Sequence, residues 1–257
     1  MVTWKGKVIM KVKIYVLTYN NEYHLNTGMA SMLSDRDIRL HDPINTEIYI
    51  INNHTNFQLH DEFKSRVKVI HNILQPDFGT GHSTRNWNQA LMHGFKNLKR
   101  PDADYVVCVQ DDTKYGLNWF DTLLRAHNHF DFIACGNGDN LCSYNATAVR
   151  QIGLWDERFC VLNYGEHDYF LRAASWWGDR SSINDIAHSH AGGLYTHNRF
   201  DESDAIAVRP YEHQEQIEQL RVVRHQNYAY ICQELFIAKW GMVPERMPVK
   251  NYVYTRL

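Results

Sequence analysis

The sequence predicts an α/β domain: a mostly parallel sheet covered by helices on both faces. Three observations predict it. Short apolar runs of strand length alternate with stretches whose apolar residues recur at helical spacing. Several of the runs are continuously apolar, as strands buried on both faces are. Polar residues then gather just past three of the runs: Thr18 and Asn20, Asn52 and Asn53, Asp111 and Asp112. In such sheets ligands bind beyond the carboxyl ends of the strands.

The elements follow in order. "KVKIYVLTYNN" alternates basic and apolar residues, turns continuously apolar, and reads as a first strand ending at Thr18 or Tyr19. Asn20-Asn21 is a turn or a helix N-cap. "EYHLNTGMASMLSD" carries a helical stripe of Leu25, Met29, Met32 and Leu33. A second strand runs from Glu47 to Ile51, and a third from about Val67 to Ile70. "STRNWNQALMHGFKNL" is a helix with Trp87, Leu91 and Phe95 on one face; "DADYVVCVQDDT" is a fourth strand. "NWFDTLLRAHNHF" is a helix and "DFIACGN" a strand. Beyond them come a short helix in "TAVRQIGLW", a loop, and a helix from about Glu166. "IAHSHAGGLYTHNRFDESDA" reads as loop, and "EHQEQIEQLRVVRHQNYAYICQELFIAKWG" as a long amphipathic helical stretch. Residues 1–200 form the expected main domain, and 201–257 a helical C-terminal extension packed on it.

Composition narrows the function. With 257 residues, 27 basic and 29 acidic side chains and a formal charge of −2, the chain lacks the basic excess of a nucleic-acid binder. That balance also disfavours a metal-dependent nuclease. The five cysteines have irregular spacing and no CxxC, and read as reduced thiols in an intracellular, cytoplasmic setting. No apolar run reaches membrane-span length, and "MVTWKGKVIMK" is too charged for a signal peptide.

Chemistry concentrates in three places. Asp111 and Asp112 are adjacent carboxylates at the end of a buried strand, a donor set suited to Mg²⁺ or Mn²⁺; an Asp-Asp turn capping the next helix has the same pattern. "WDERFCVLNYGEHDYFLRAA" holds Asp156, Glu157, Glu166, His167, Asp168 and Arg172. There Glu166 and Asp168 are expected near a helix N-terminus, where the dipole favours anions and a carboxylate can act as general base. Helix capping and an Asp168–Arg172 pair are the alternative. In "AHSHAGG", His188 and His190 could join a metal shell or be structural.

These elements, in this order, resemble the GT-A glycosyltransferases, especially the inverting family-2 group, over roughly residues 12 to 200. The resemblance rests on "VLTYNN", "EIYIINNHT", "TRNWNQAL", "CVQDDT" at the place of the metal-binding D-x-D, "GLWDERF", "GEHDYFLR" at the place of E-D-x-D-x-x-x-R, and the late His190. Two departures stand out: Gln110 replaces the first carboxylate of D-x-D, and Gly165 the glutamate of the acidic motif. The resemblance implies a GT-A fold, a nucleoside-diphosphate sugar donor (UDP favoured) and a hydroxyl acceptor on a glycan or glycoconjugate. It implies Mn²⁺ or Mg²⁺ held by Asp112 and His190, and nucleotide or diphosphate contacts from Thr18, Asn20, Asn52, Arg85, Gln110 and Asp111. Glu166 takes the catalytic-base position, with Asp168 competing for it, and Trp155, Trp176 and Trp177 would form a sugar-stacking wall, with core packing as the equal alternative. A sugar-1-phosphate nucleotidyltransferase would want a Gly-rich phosphate loop after the first strand, which "TYNNEYHLN" lacks. A non-catalytic carbohydrate binder on the same scaffold is the other alternative.

Overall fold

The structure is a computed structural model, which describes residues 2–4, 7–34, 38, 44–72, 83–135, 140–160, 162–177, 206–208 and 228–241. The strands are β1 (Val2–Trp4), β2 (Lys7–Thr18), β3 (Ile44–Asn52), β4 (Lys68–His71), β5 (Tyr105–Gln110), β6 (Lys114–Tyr115), β7 (Phe132–Cys135), β8 (Leu141–Asn145) and β9 (Ala207–Val208). The helices are α1 (Glu22–Ser34), α2 (Asp61–Lys64), α3 (Ser83–Phe95), α4 (Trp119–Ala126), α5 (Ala146–Ile152), α6 (Leu162–Trp177) and α7 (228–240).

The main sheet has the order β4-β3-β2-β5-β8-β7, with β1 antiparallel on the start of β2. β4, β3, β2 and β5 are mutually parallel, and β8 runs antiparallel between β5 and β7. The expected mostly parallel α/β architecture is therefore present. β8 was not expected: "LCSYN" is short and mixed in polarity, and it pairs because its neighbours bury both its faces.

Strand alternation sorts the core into two halves. Ile14 and Val16 of β2, with Val107 and Val109 of β5, face Leu25, Met29, Met32 and Leu33 of α1 and Trp119, Phe120 and Leu123 of α4. Tyr15, with Val106 and Cys108, faces Trp87, Ala90, Leu91 and Phe95 of α3. Both predicted helical stripes are thus core faces. Lys13 shares the Tyr15 side and is buried; its ammonium donates to Asp102 at 2.6 Å and to the Gly94 carbonyl at 3.1 Å. Trp155 is core rather than a sugar wall: it stacks on Tyr169, with centroids 4.3 Å apart, and donates to the Tyr144 hydroxyl. The side chains of Trp176 and Trp177 lie outside the described residues.

Two C-terminal pieces return to the domain. β9 pairs antiparallel with β6, just past the Asp111-Asp112 turn, inside the stretch expected to be helical. α7 packs Cys232, Phe236 and Trp240 against Phe159, Tyr164 and Leu171. The Cys160 and Cys232 sulfurs approach to 3.6 Å, and all five cysteines are free. Among the described residues no helix is long and apolar enough to cross a membrane.

Candidate functional site

Register brings four strand ends to one edge. Thr18 lies opposite Asn52, Asn52 opposite His71, and Leu17 opposite Gln110. The ladder continues past the strands: the Asn53 N–H donates to the Thr18 carbonyl at 3.1 Å, and the Asp111 N–H to the Leu17 carbonyl at 3.1 Å. The polar clusters separated in sequence therefore meet, as parallel pairing requires.

The Gln110–Thr113 turn is clamped from two sides. From the β2 side, the Thr18 hydroxyl donates to Asp111 Oδ2 at 2.7 Å and the Asn21 amide to Asp111 Oδ1 at 3.1 Å. From the β8 side, the Asn140 amide donates to Asp112 Oδ1 at 3.0 Å. Thr113 closes the turn, its hydroxyl donating to the Gln110 carbonyl at 2.8 Å. α1 seals the outside. A Cβ at Gly28 would come within 2.8 Å of the Asp111 carbonyl oxygen, so only glycine lets the helix lie this close.

Among the described residues, the electrostatics are those of a site short of positive charge. Burial, then the adjacent Asp112, pushes Asp111 up to about 7; the Thr18, Asn21 and Tyr19 hydrogen bonds act the other way. All three of these donors are neutral. Asp112 is 3 % exposed. Among the described residues no group of three or more His, Cys, Asp or Glu forms a metal cluster. Two adjacent carboxylates, with neutral donors on Asp111 and the Asn140 amide on Asp112, fit a hard cation that completes its shell with water and phosphate oxygens.

A stability prediction follows. The folded Asp111 keeps a proton that the unfolded chain, with the usual carboxylate value of 3.8, releases between pH 3.8 and about 7. Its contribution therefore falls as pH rises through that window, and above it the ionised folded form carries a cost. Asp111→Asn removes the titration. In chelator, the variant's melting temperature relative to wild type should rise from pH 4 to pH 8. Calorimetry at several pH values checks this; a flat or falling difference contradicts it.

The other predicted residues divide. Asn20 adopts the left-handed conformation, φ 48°, and its oxygen accepts from the Asn56 amide at 3.1 Å. This joins the turn after β2 to the loop after β3. Asn52 is buried, its amide donating to the His54 carbonyl at 2.7 Å and its oxygen accepting the His54 N–H. It shapes the loop rather than standing open. Gln110 is half-buried beside Leu17. Arg85, in the first turn of α3, is half-exposed and pairs with Glu157 at 3.6 Å. Asn88 fastens that same loop to α3, taking the Trp155 N–H and donating to the Trp155 carbonyl and to Glu157. His188 and His190 lie outside the described residues.

α6 begins at Leu162, so Glu166 and Asp168 stand one turn or more inside the helix rather than near its N-terminus, and they receive little from its dipole. Gly165 does not start the helix. It sits inside it, because a Cβ there would approach Thr84 Cγ2 to 2.9 Å. That close approach sets the backbone of α6 at Gly165, one residue before Glu166, against the first turn of α3. This turn lies at the carboxyl edge of the sheet, since Asn86 accepts from Asn72 just past β4.

Asp168 faces elsewhere. It is fully buried; Oδ2 accepts from Arg172 at 3.0 Å, while Oδ1 meets Lys239 at 2.6 Å and the Trp240 indole at 3.0 Å. Arg172 also donates to the Ile152 carbonyl at 2.6 Å. This carboxylate binds α6, α7 and the end of α5 together.

Sequence reasoning missed Asn21, Gly28 and Asn140. Asn21 was visible only as a turn residue, and nothing in "GNGDN" singles out Asn140.

No protein-family model and no curated protein matches this chain. Among solved structures, it is similar to TarS 1-349 of S. aureus, at 12 % identity and TM-score 0.46 over 65 % of this chain and 56 % of that one. It is also similar to the catalytic domain of Drosophila β1,4-galactosyltransferase 7 in complex with xylobiose, at 11 % identity and TM-score 0.40 over 64 % and 60 %. A third is the mannosyltransferase PcManGT of Pyrobaculum calidifontis in complex with GDP-Man and Mn²⁺, at 10 % identity and TM-score 0.39 over 77 % and 68 %. The chain spans little more than half of TarS 1-349. Likenesses this distant carry no weight in assigning its chemistry, which rests on its own residues.

Proposed function

We propose that this chain is a GT-A-type glycosyltransferase, moving a sugar from a nucleoside-diphosphate donor to a hydroxyl of a glycan or glycoconjugate with inversion. The observation that supports it best is the pair of adjacent carboxylates at the carboxyl edge of a parallel sheet, with neutral donors on Asp111 among the described residues. Asp112, with His190 by resemblance, would hold Mn²⁺ or Mg²⁺, which when bound neutralises the diphosphate as it departs.

The chain's own residues account for the remainder. Thr18 and Asn21 hold Asp111 in place, and Asn20, Asn52 and Gln110 shape the nucleotide side of the edge. Arg85, half-exposed at the start of α3, supplies a cation for the diphosphate once it leaves Glu157. Glu166 accepts the proton of the acceptor hydroxyl. That oxygen attacks the anomeric carbon on the face opposite the leaving group, and a single displacement inverts the configuration. Asp168 keeps α6 in position.

The test is a nucleotide-sugar panel with UDP-GlcNAc and GDP-mannose among its members, read by calorimetry and thermal shift in Mn²⁺ and in EDTA. UDP-sugars are expected to bind in Mn²⁺ and far more weakly in EDTA, with Asp112→Asn losing the difference. Equal affinity in both buffers removes the metal from the mechanism. Donor binding without hydrolysis or transfer marks a non-catalytic binder.

A further inference from the structure

We infer that Asn140 is the positioning residue for Asp112, holding that carboxylate in the orientation in which it meets a divalent cation. The inference rests on the cation reading of the Asp111-Asp112 turn and adds a residue that neither the motifs nor the resemblance names.

Asn140 immediately precedes β8 and is fully buried. It touches the turn at three points. Its carbonyl accepts the Gln110 N–H at 2.9 Å and lies 3.2 Å from the Thr113 hydroxyl, which shares its one proton with the nearer Gln110 carbonyl. Its side-chain amide donates to Asp112 Oδ1 at 3.0 Å. The two backbone-side contacts fix where the Asn140 main chain lies relative to the turn, so the third bond starts from a rigid base. The direction of the amide follows from chemistry: an ionised carboxylate only accepts, so the NH₂ end must face Asp112. With one oxygen engaged by a neutral donor, the rotation of the Asp112 carboxylate is set.

The other end of Asn140 is the second observation. Its Oδ1 is buried and has no hydrogen-bond partner among the described residues. A buried acceptor in that condition is uncommon and costly. The cost is tolerated here because turning the amide over would set one oxygen against another at Asp112. A group retained at such cost to orient a neighbouring anion is what supporting residues around metal ligands provide. The two sides of the turn agree: Thr18 at the end of β2 and Asn21 just past it donate to Asp111, and Asn140 just before β8 donates to Asp112.

The experiment titrates the full chain with Mn²⁺ alone, without nucleotide, and reads free Mn²⁺ by electron paramagnetic resonance. Wild type, Asn140→Ala, Asn140→Asp, Asp112→Asn and the Asn140→Ala/Asp112→Asn double variant are compared, with melting temperature recorded for each. In folded Asn140→Ala and Asn140→Asp, Mn²⁺ affinity should fall about 10–100-fold. Asn140→Ala should cost little more once Asp112 is already Asn, because the two act as one unit. Should the alanine variant fail to fold, the isosteric aspartate variant carries the same reading. Unchanged Mn²⁺ affinity in a folded variant overturns the inference and leaves Asn140 as a framework residue alone. Tighter binding by Asn140→Asp also overturns it, making the position a direct ligand. Absence of Mn²⁺ binding by the wild-type chain overturns the cation reading itself, a result separate from either of these.

Discussion

Glu166→Gln should slow sugar transfer by about 10²–10⁴-fold while leaving nucleotide-sugar binding close to wild type. The substitution keeps the shape of the side chain and removes only its capacity to accept a proton. Glu166 is half-exposed, one residue past the glycine that wedges α6 against Thr84. A general base acts on the acceptor, so donor affinity should not move. Transfer, or donor hydrolysis when water is the acceptor, is measured at saturating donor alongside calorimetric binding. Near wild-type turnover would remove Glu166 from the mechanism. A large loss of donor affinity would instead make it a binding residue.

Asp168→Asn should act on stability. It neutralises a fully buried carboxylate that meets Arg172, Lys239 and Trp240. Breaking a buried ion pair by removing one partner typically costs about 3–5 kcal/mol. The low end applies here, because Arg172 and Lys239 are 21 % and 27 % exposed and water recovers part of their charge. Lys239 also keeps its 2.9 Å contact with Asp156. A loss of about 3 kcal/mol corresponds to a melting temperature lower by roughly 6–12 °C in a chain of this size. Below that temperature the variant should bind donor and retain most of its activity. Denaturant and thermal unfolding check the first part and transfer assays the second. An Asp168→Asn protein with wild-type stability and no activity would return the base role to Asp168.

The contrast between these carboxylates shows how far the sequence reaches. Two residues apart in one motif, Glu166 and Asp168 compete for the base role, with the resemblance favouring Glu166. What sets Asp168 apart is Trp240, 72 residues away in the chain, and Lys239 beside it, which together occupy its Oδ1. Contacts at that separation leave no periodic or turn signal. The start of α6 was misplaced for a related reason: Gly165 has low helix propensity, and only its approach to Thr84 explains a glycine inside the helix. Trp155 suited a sugar wall or a core equally until Tyr144 and Tyr169 were seen to enclose it.

The sequence by itself determined the parallel strands, their helices and the collection of polar residues at one edge, because each follows from local period and turn chemistry. β2, β3 and β5 end in Thr18, Asn52 and Gln110 whatever packs around them, and parallel pairing then sets those ends side by side. Only the tertiary structure decided that β8 enters antiparallel beside β5 and brings Asn140 to Asp112, and that α7 returns to bury Asp168. Both depend on distant segments covering surfaces that neither segment could bury alone, and that requirement is written in no single stretch of the chain.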